Sequence, residues 1–305
     1  MSAKTMLLVD KREVAVSNLD KVFYPETGFT KGQVIDFYVR IAPVLLPHLK
    51  GRPVSLKRYP DGVKGMFFYE KNCPSHAPKW IKTVKVGKKN GEQINYCVLN
   101  DLPSLVWAAN IANLELHTFQ HRAPALARPI AVVFDLDPGP PADIVQCCEV
   151  ALKIRAMFDA LGLKSFPKTS GSKGMQIVVP LNTPTTYEKT RAFARNVADT
   201  LAAAMPELVV ADIKKSLRDG KVYIDWSQND AKKTTVSVYS LRAKDTPNVS
   251  TPLKWSEVAA ALKTRKGSKK KVLVFESDEV LKRVQKWGDL FEQVHTLKQT
   301  LPALK

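Results

Sequence analysis

Cysteine is scarce: Cys73, Cys97, Cys147 and Cys148 are the only four in 305 residues. None lies in a Cys-x-x-Cys pair, and Cys147-Cys148 falls in a helical pattern, so neither a zinc knuckle nor a disulfide framework is supported. All four read as reduced core fillers. No apolar run approaches the roughly 18–20 residues of a membrane span. The N-terminal Met1-Ser2-Ala3-Lys4-Thr5-Met6-Leu7-Leu8-Val9-Asp10 has too short an apolar stretch for a signal peptide, so the expectation is a soluble, cytoplasmic chain. Repeats and low-complexity tracts are absent too. With 45% hydrophobic and 25% charged residues the usage is that of a globular protein, which excludes disordered and fibrous classes and predicts one large domain or two fused modules.

Acidic residues are also in short supply, 29 against 47 lysines and arginines, which leaves a formal charge of +18. Such an excess points to a polyanionic partner, because each neutralised phosphate releases condensed counterions. A membrane surface is the competitor, but no basic amphipathic helix with an aromatic apolar face stands out. Nucleic acid is therefore the favoured partner, and association with the nucleoid the expected setting.

The spacing of Val34, Ile35, Tyr38, Ile41, Ala42 and Leu45 predicts a helix over 31–49, with Thr30 as N-cap and a kink at Pro43. Segments 53–59 and 66–70 read as a hairpin around Pro60-Asp61-Gly62, and 94–99 as a further strand. The proline-bearing stretch 121–129 has no period and looks like a joint. It divides an α/β module at 1–126 from a core at 127–305. In the latter, Ile130-Ala131-Val132-Val133-Phe134 is a continuous apolar strand and 142–161 a helix stopped at Gly162. Strands follow at 175–179 and 222–224, a capping box at Thr185-Thr186-Tyr187-Glu188 opens a helix to about Met205, and Ser277 is the expected cap of a C-terminal helix. Strands interleaved with long helices give an α/β or α+β protein.

Asp135-Leu136-Asp137 ends the apolar strand, and because strand side chains alternate, both carboxylates share one face. Like charges that close repel unless a cation lies between them, so a hard divalent metal is the natural third party; a solvated turn before Pro138-Gly139 is the plain alternative. A second strand, Val222-Tyr223-Ile224, delivers Asp225 in the same way. Three carboxylates from two strand ends can hold two metals, one activating a hydroxyl and one bridging a triphosphate. Between them lies Thr169-Ser170-Gly171-Ser172-Lys173-Gly174, a loop of small residues whose N–H groups, hydroxyls and lysine suit phosphate oxygens. It is not a Walker A loop.

These three segments, the last extending to Asn229, resemble the motifs of the archaeo-eukaryotic primase superfamily, and more narrowly the polymerase domain of the bacterial end-joining ligase D. The resemblance covers nearly the whole chain, from Asn18-Leu19-Asp20-Lys21 through Lys57-Arg58-Tyr59-Pro60-Asp61-Gly62 to Tyr239-Ser240-Leu241-Arg242. It implies a primase-type core with a mixed sheet flanked by helices and an α/β N-terminal module. It also implies a template-dependent nucleotidyl transferase that fills gaps and extends ends in double-strand break repair, using nucleoside triphosphates, ribonucleotides preferentially, with two Mn²⁺ or Mg²⁺ ions.

Position by position, the resemblance makes Asp135, Asp137 and Asp225 the metal ligands, Asp225 serving the metal that activates the primer 3′-hydroxyl. It assigns Lys57, His117, Ser170, Lys173 and Arg242 to the incoming nucleotide, with Gln176 where relatives commonly carry histidine. Asn18, Lys21 and Lys31 match a pocket for the 5′-phosphate of a DNA end, and a helix N-terminus at Thr30 suits that role. Phe68 or Tyr69, Tyr69 being favoured, matches the aromatic that packs on template bases; adjacent on a strand, the two face opposite sides. Arg218 matches a loop that meets the primer terminus. A Ku end-binding protein and a ligase domain are the partners implied, along with DNA ends and gapped duplex. The basic cluster Lys263, Arg265, Lys266, Lys269, Lys270 and Lys271 reads equally as solvated loop or DNA contact. The rivals are a primase-polymerase unrelated to breaks and a noncatalytic DNA-end clamp.

Overall fold

Strands and helices interleave along the chain, which a computed structural model describes over residues 4–87, 90–264 and 272–302. Arg265, Lys266, Lys269, Lys270 and Lys271 of the basic cluster lie outside the described residues. The order is β1 (Lys4–Val9), β2 (Arg12–Ser17), β3 (Val22–Tyr24), β4 (Phe29–Thr30), α1 (Lys31–Leu49), β5 (Val54–Arg58), β6 (Phe68–Glu70), β7 (Lys82–Gly87), β8 (Gln93–Val98), α2 (Leu102–Asn110) and β9 (Asn113–Phe119). It continues with β10 (Ala131–Pro138), α3 (Ile144–Ala160), β11 (Phe166–Thr169), β12 (Met175–Pro180), α4 (Tyr187–Ala204), β13 (Val209–Val210), β14 (Val222–Asp225), β15 (Thr234–Val236), α5 (Trp255–Ala261), α6 (Ser277–Trp287) and α7 (Gln293–Thr296).

Two compact units share the chain. One comprises residues 1–126, 234–249 and 276–288, the other 127–233, 250–275 and 289–305. The uninterrupted core expected over 127–305 is thus broken twice. The reason is a sheet edge: β9 needs partners for its outer N–H and C=O groups, and β15 supplies them antiparallel, Thr234 opposite Phe119 and Val236 opposite His117.

In the first unit the sheet order is β15-β9-β5-β8-β7, with β6 also paired to β5. The predicted α1 forms over the expected span, running through Pro43 to Leu49, and buries all six of its predicted apolar positions. Thr30 caps it in a reciprocal box with Gln33. Cys73 and Cys97 form a disulfide with Cα atoms 5.2 Å apart, which corrects the reading of four reduced cysteines. The backbone bond from Cys73 N–H to Asn95 O lays the chain after β6 against β8 and brings the two residues together across 24 positions of sequence. Cys147 and Cys148 are free and buried.

In the second unit the sheet order is β11-β12-β10-β14-β13, mixed because β13 joins β14 in parallel while the other pairs are antiparallel. Phe134 of β10 meets Phe158 of α3 and Phe193 of α4 at centroid distances of 5.2 and 6.4 Å, so both helices cover the same face. Alternation along β10 turns Asp135 and Asp137 to the opposite face. Two caps differ from expectation. Thr186 rather than Thr185 caps α4, accepting from the Lys189 N–H, and Ser277 is the first residue of α6 after Glu276 rather than its side-chain cap. Among the described residues no helix is long and apolar enough to cross a membrane.

Candidate active site

The second unit carries a carboxylate centre. In the antiparallel pairing of β10 with β14, Asp135 stands directly opposite Asp225, and Asp137 is two residues along the same face of β10. The row extends across the sheet, because Gln176 of β12 stands opposite Asp135 and Lys168 of β11 opposite Gln176. Opposed positions on one face lie about 4.5–5.5 Å apart at Cβ, so four polar side chains form a ladder. The Gln176 amide donates to Asp135, while its Oε1 is buried without a partner. Lys168, 3% exposed, donates to Ser250 Oγ at 2.7 Å.

Burial, then the charge of Asp137, pushes the Asp135 carboxyl up to about 7, against which the Gln176 bond and the Lys168 charge act only in part. Asp137 is raised by burial and by Asp225. Asp225 is clamped. Its Oδ1 accepts from the Ser227 N–H at 3.0 Å, the Ser227 hydroxyl at 2.5 Å and the Tyr223 hydroxyl at 3.3 Å, and its Oδ2 from Gln228 Nε2 at 2.9 Å. Three mutually repelling carboxylates held on a rigid sheet are a hard-oxygen donor set of the kind that Mg²⁺ and Mn²⁺ prefer.

Two glycines bring loops onto this strand end. A Cβ on Gly174 would lie 2.0 Å from Leu136 O, so only glycine lets the Ser170-to-Gly174 loop lie against β10 between the two aspartates. A Cβ on Gly139 would lie 1.9 Å from Arg218 O, which fixes the Arg218 loop beside the turn after Asp137. Arg218 stacks 3.7 Å from the Tyr223 ring centroid, and its charge pulls against the rise at Asp137. Inside the first loop the Ser170 hydroxyl accepts from the N–H groups of Ser172 and Gly174, turning those donors inward. Lys173 is exposed.

The first unit carries a centre of opposite sign. Glu115 of β9, with a side chain 2% exposed, lies 3.0 Å from His117 Nε2, 3.3 Å from Arg242 Nε and 3.7 Å from Lys57 Nζ. The Tyr59 hydroxyl and the Ala243 N–H also donate to its Oε1. Burial raises the Glu115 carboxyl, but the His117 bond and the charges of Arg242, His117 and Lys57 outweigh it and hold the group well below the usual carboxylate range. Burial pushes both His117 and Lys57 down, with the Glu115 charge opposing it in each, and the long basic side chains at this centre are Lys57 and Arg242. Their side chains keep 14 and 15% of their surface exposed, which leaves an edge for an anion.

Aromatic rings wall this centre. Lys57 Nζ lies 4.3 Å from the Phe67 centroid and 5.4 Å from that of Tyr69, and Tyr69 meets the His117 ring at 5.6 Å. Tyr69 pairs with Lys57 across β5 and β6 and Phe68 with Arg58, so the two aromatics face opposite sides as alternation requires. Both are exposed.

Elsewhere in the same unit the chain folds back before α1. The N–H of Lys31 donates to Lys21 O and that of Gly32 to Leu19 O, both at 2.8 Å, with Asn18 at φ 53° starting the turn. This brings the two lysines within electrostatic reach: burial, then the Lys21 charge, lowers Lys31 to about 8. Lys31 donates to Ser17 O at 2.5 Å and Lys21 pairs with Asp61 at 2.8 Å. One expectation is corrected here. The first-turn N–H groups of α1 are consumed by Lys21 O, Leu19 O and Thr30 Oγ1, because the same bonds that gather the lysines use those donors.

The family profile described as LigD, primase-polymerase domain matches residues 30–291. This chain belongs to that family. A LigD primase-polymerase domain is a nucleotidyltransferase, and the similarity to named LigD proteins is extensive. The chain is 43% identical over 283 residues to the multifunctional non-homologous end joining protein LigD of Mycolicibacterium smegmatis, covering 91% of the chain and 35% of that protein. It is 32% identical over 291 residues to the bifunctional LigD of Bacillus subtilis, covering 94% of the chain and 45% of that protein. The chain therefore spans less than half the length of these relatives. Among solved structures, the polymerase domain of Mycobacterium tuberculosis ligase D in complex with DNA superposes with a TM-score of 0.86 at 38% identity, covering 94% of the chain and 99% of the domain.

Several residues of the two centres carry little or no signal in the sequence. Glu115 had one visible signal, a lone acid in the otherwise apolar Leu114-Glu115-Leu116. Lys168 had none, since only strand pairing places it two strands from Asp135. Ser227 and Gln228 lie two and three residues after Asp225 and cage it through the 3-10 turn at 226–228.

Proposed function

We propose that this chain adds nucleotides, directed by a template, to the 3′-hydroxyl of DNA ends and gaps in non-homologous end joining. The pairing of Asp135 with Asp225, with Asp137 on the same face, carries the reading. Asp135, Asp137 and Asp225 are the proposed ligands of two Mn²⁺ or Mg²⁺ ions. When bound, such ions neutralise phosphate charge and favour ionisation of a primer hydroxyl. The fit rests on the carboxylate set itself and on the buried, unpartnered Gln176 Oε1 beside it, a carbonyl oxygen suited to a cation or to a bound water.

The remaining roles belong to the chain's own groups. Lys57 and Arg242 present charge-assisted donors to a triphosphate, with Ser170 and Lys173 serving phosphate oxygens from their loop. His117, whose Nε2–H donates to Glu115, offers Nδ1 as an acceptor to a ribose 2′-hydroxyl. A deoxyribonucleotide leaves that acceptor unpaired, at a cost of about 1–3 kcal/mol, and this gives the ribonucleotide preference. Tyr69 is the proposed platform for a template base, Phe68 serving the opposite face, and Arg218 the contact to the primer terminus. Lys21 and Lys31, with Asn18 shaping the turn, meet a 5′-phosphate through their ammonium groups rather than through helix N–H donors. DNA binding agrees with the +18 charge. A Ku-type end-binding protein and a ligase domain are proposed partners on the resemblance of the motifs.

Primer extension on a gapped duplex tests this reading. Expected are template-directed addition, faster with NTPs than dNTPs, and tighter binding of a gap bearing a 5′-phosphate than of one ending in a hydroxyl. Binding without extension would leave a noncatalytic clamp. Extension indifferent to the 5′-phosphate would leave a primase-polymerase not dedicated to breaks.

A further inference from the structure

Asp225 differs from its two fellow carboxylates in being gripped at both oxygens, and one link of that grip leads to a cation with no assigned role. The Ser227 hydroxyl has a single proton, which it donates to Asp225 Oδ1. Toward Lys233 it can therefore only accept, and Lys233 Nζ donates to Ser227 Oγ at 2.5 Å. The backbone holds this reach in place, since the Lys233 N–H donates to Asp230 O at 3.1 Å and the Asn229 side chain bonds to the N–H and C=O of Val133 in β10. Lys233 is half-buried, whereas Lys232 beside it is exposed. The direction of the chain Lys233 to Ser227 to Asp225 is thus set at each step. Oδ1 of Asp225 takes three donors and Oδ2 takes one, from Gln228 Nε2 at 2.9 Å, so Oδ2 is the less occupied of the two oxygens.

We propose that Lys233 is a positioning residue of the nucleotidyl-transfer site, fixing through the Ser227 hydroxyl the orientation in which Asp225 presents its carboxylate to a divalent cation. The inference rests on the reading of Asp225 as a metal ligand. Outer-shell partners of metal ligands commonly matter about 10–100-fold in metal affinity or activity. The sign of the effect identifies the role. By Coulomb's law alone, deleting a cation near a cation site tightens metal binding. A positioning residue does the reverse.

Mn²⁺ binding to the full chain, read by electron paramagnetic resonance, and primer extension at saturating DNA and NTP are measured together for a set of variants. Lys233→Met is expected to weaken Mn²⁺ binding and slow extension, each about ten-fold. Lys233→Arg restores both, and Lys232→Met, an equal loss of charge, changes neither. In a Ser227→Ala background Lys233→Met has no further effect, because the link is already cut. Mn²⁺ binding that is unchanged or tighter in Lys233→Met, or a loss that persists undiminished in the Ser227→Ala background, overturns the proposal. If Lys233→Met does not fold by urea titration, Lys233→Gln is read by the same criteria. Asp225→Ala separates the two levels: native Mn²⁺ binding and extension in that variant remove the metal-ligand reading itself.

Discussion

Glu115 and Asp135 are both buried carboxylates on central strands, and their surroundings drive them in opposite directions. Glu115 is one acid among Lys57, Arg242 and His117, and is held well below the usual range. Asp135 is one acid among three, with Lys168 two strands away, and is pushed up to about 7. Burial acts upward on both. The sign of the neighbouring charge decides the outcome. Surplus cations kept partly exposed favour an anion, and surplus carboxylates favour a cation.

The contrast breaks most sharply at the carboxylate centre. Asp135→Ala or Asp225→Ala is expected to remove several kcal/mol of transition-state stabilisation and abolish extension, while binding of gapped DNA persists. Primer extension beside a fluorescence anisotropy titration checks it, and near-native extension by either variant takes that residue out of the mechanism.

At the other centre, Glu115→Gln leaves Lys57 and Arg242 facing each other without a counter-charge. A loss of about 3–5 kcal/mol in urea unfolding is expected, of the order seen when one partner of a buried pair is removed. A loss below about 1 kcal/mol would show that solvent already screens the pair.

A smaller effect concerns Lys31. With its ammonium lowered to about 8 it is partly neutral just above physiological pH, and a bound 5′-phosphate favours the charged form. Affinity for a 5′-phosphorylated gap should therefore fall as pH rises from about 7 to 9, by several-fold, and a 5′-hydroxyl gap should show no such trend. A flat profile would place the phosphate away from Lys31.

The prediction that sharpens the comparison best is the pH dependence of stability without metal. In the unfolded chain Asp135 loses its proton near 4, in the folded one near 7, so the folded state holds more protons between and stability falls as pH rises through that interval. Mn²⁺ should flatten the slope. Glu115 behaves inversely: its contribution is complete above about 4.5 and declines as pH falls further. Urea midpoints from pH 3 to 8, with and without Mn²⁺ and for Glu115→Gln, separate the two slopes, and a rise in metal-free stability between pH 4 and 7 contradicts the assignment at Asp135.

Local pattern determined a good deal of this molecule without any structure. The apolar run ending in Asp135-Leu136-Asp137, the period of α1 and the strand before Asp225 each follow from side-chain periodicity, which is a property of neighbours in sequence. Alternation alone put Asp135 and Asp137 on one face and separated Tyr69 from Phe68. What the sequence could not contain is which strand lies beside which. Opposition of Asp135 to Asp225, the row through Gln176 to Lys168, the return of 234–236 to pair with β9, and the meeting of Cys73 with Cys97 all join residues far apart in the chain. Hydrogen-bond register sets these contacts, and register is settled by the whole sheet burying its apolar face at once. The same holds for the lysines before α1. Their spacing is legible, but only the fold shows that the turn joining Lys21 to Lys31 consumes the N–H donors that an anion would otherwise have met.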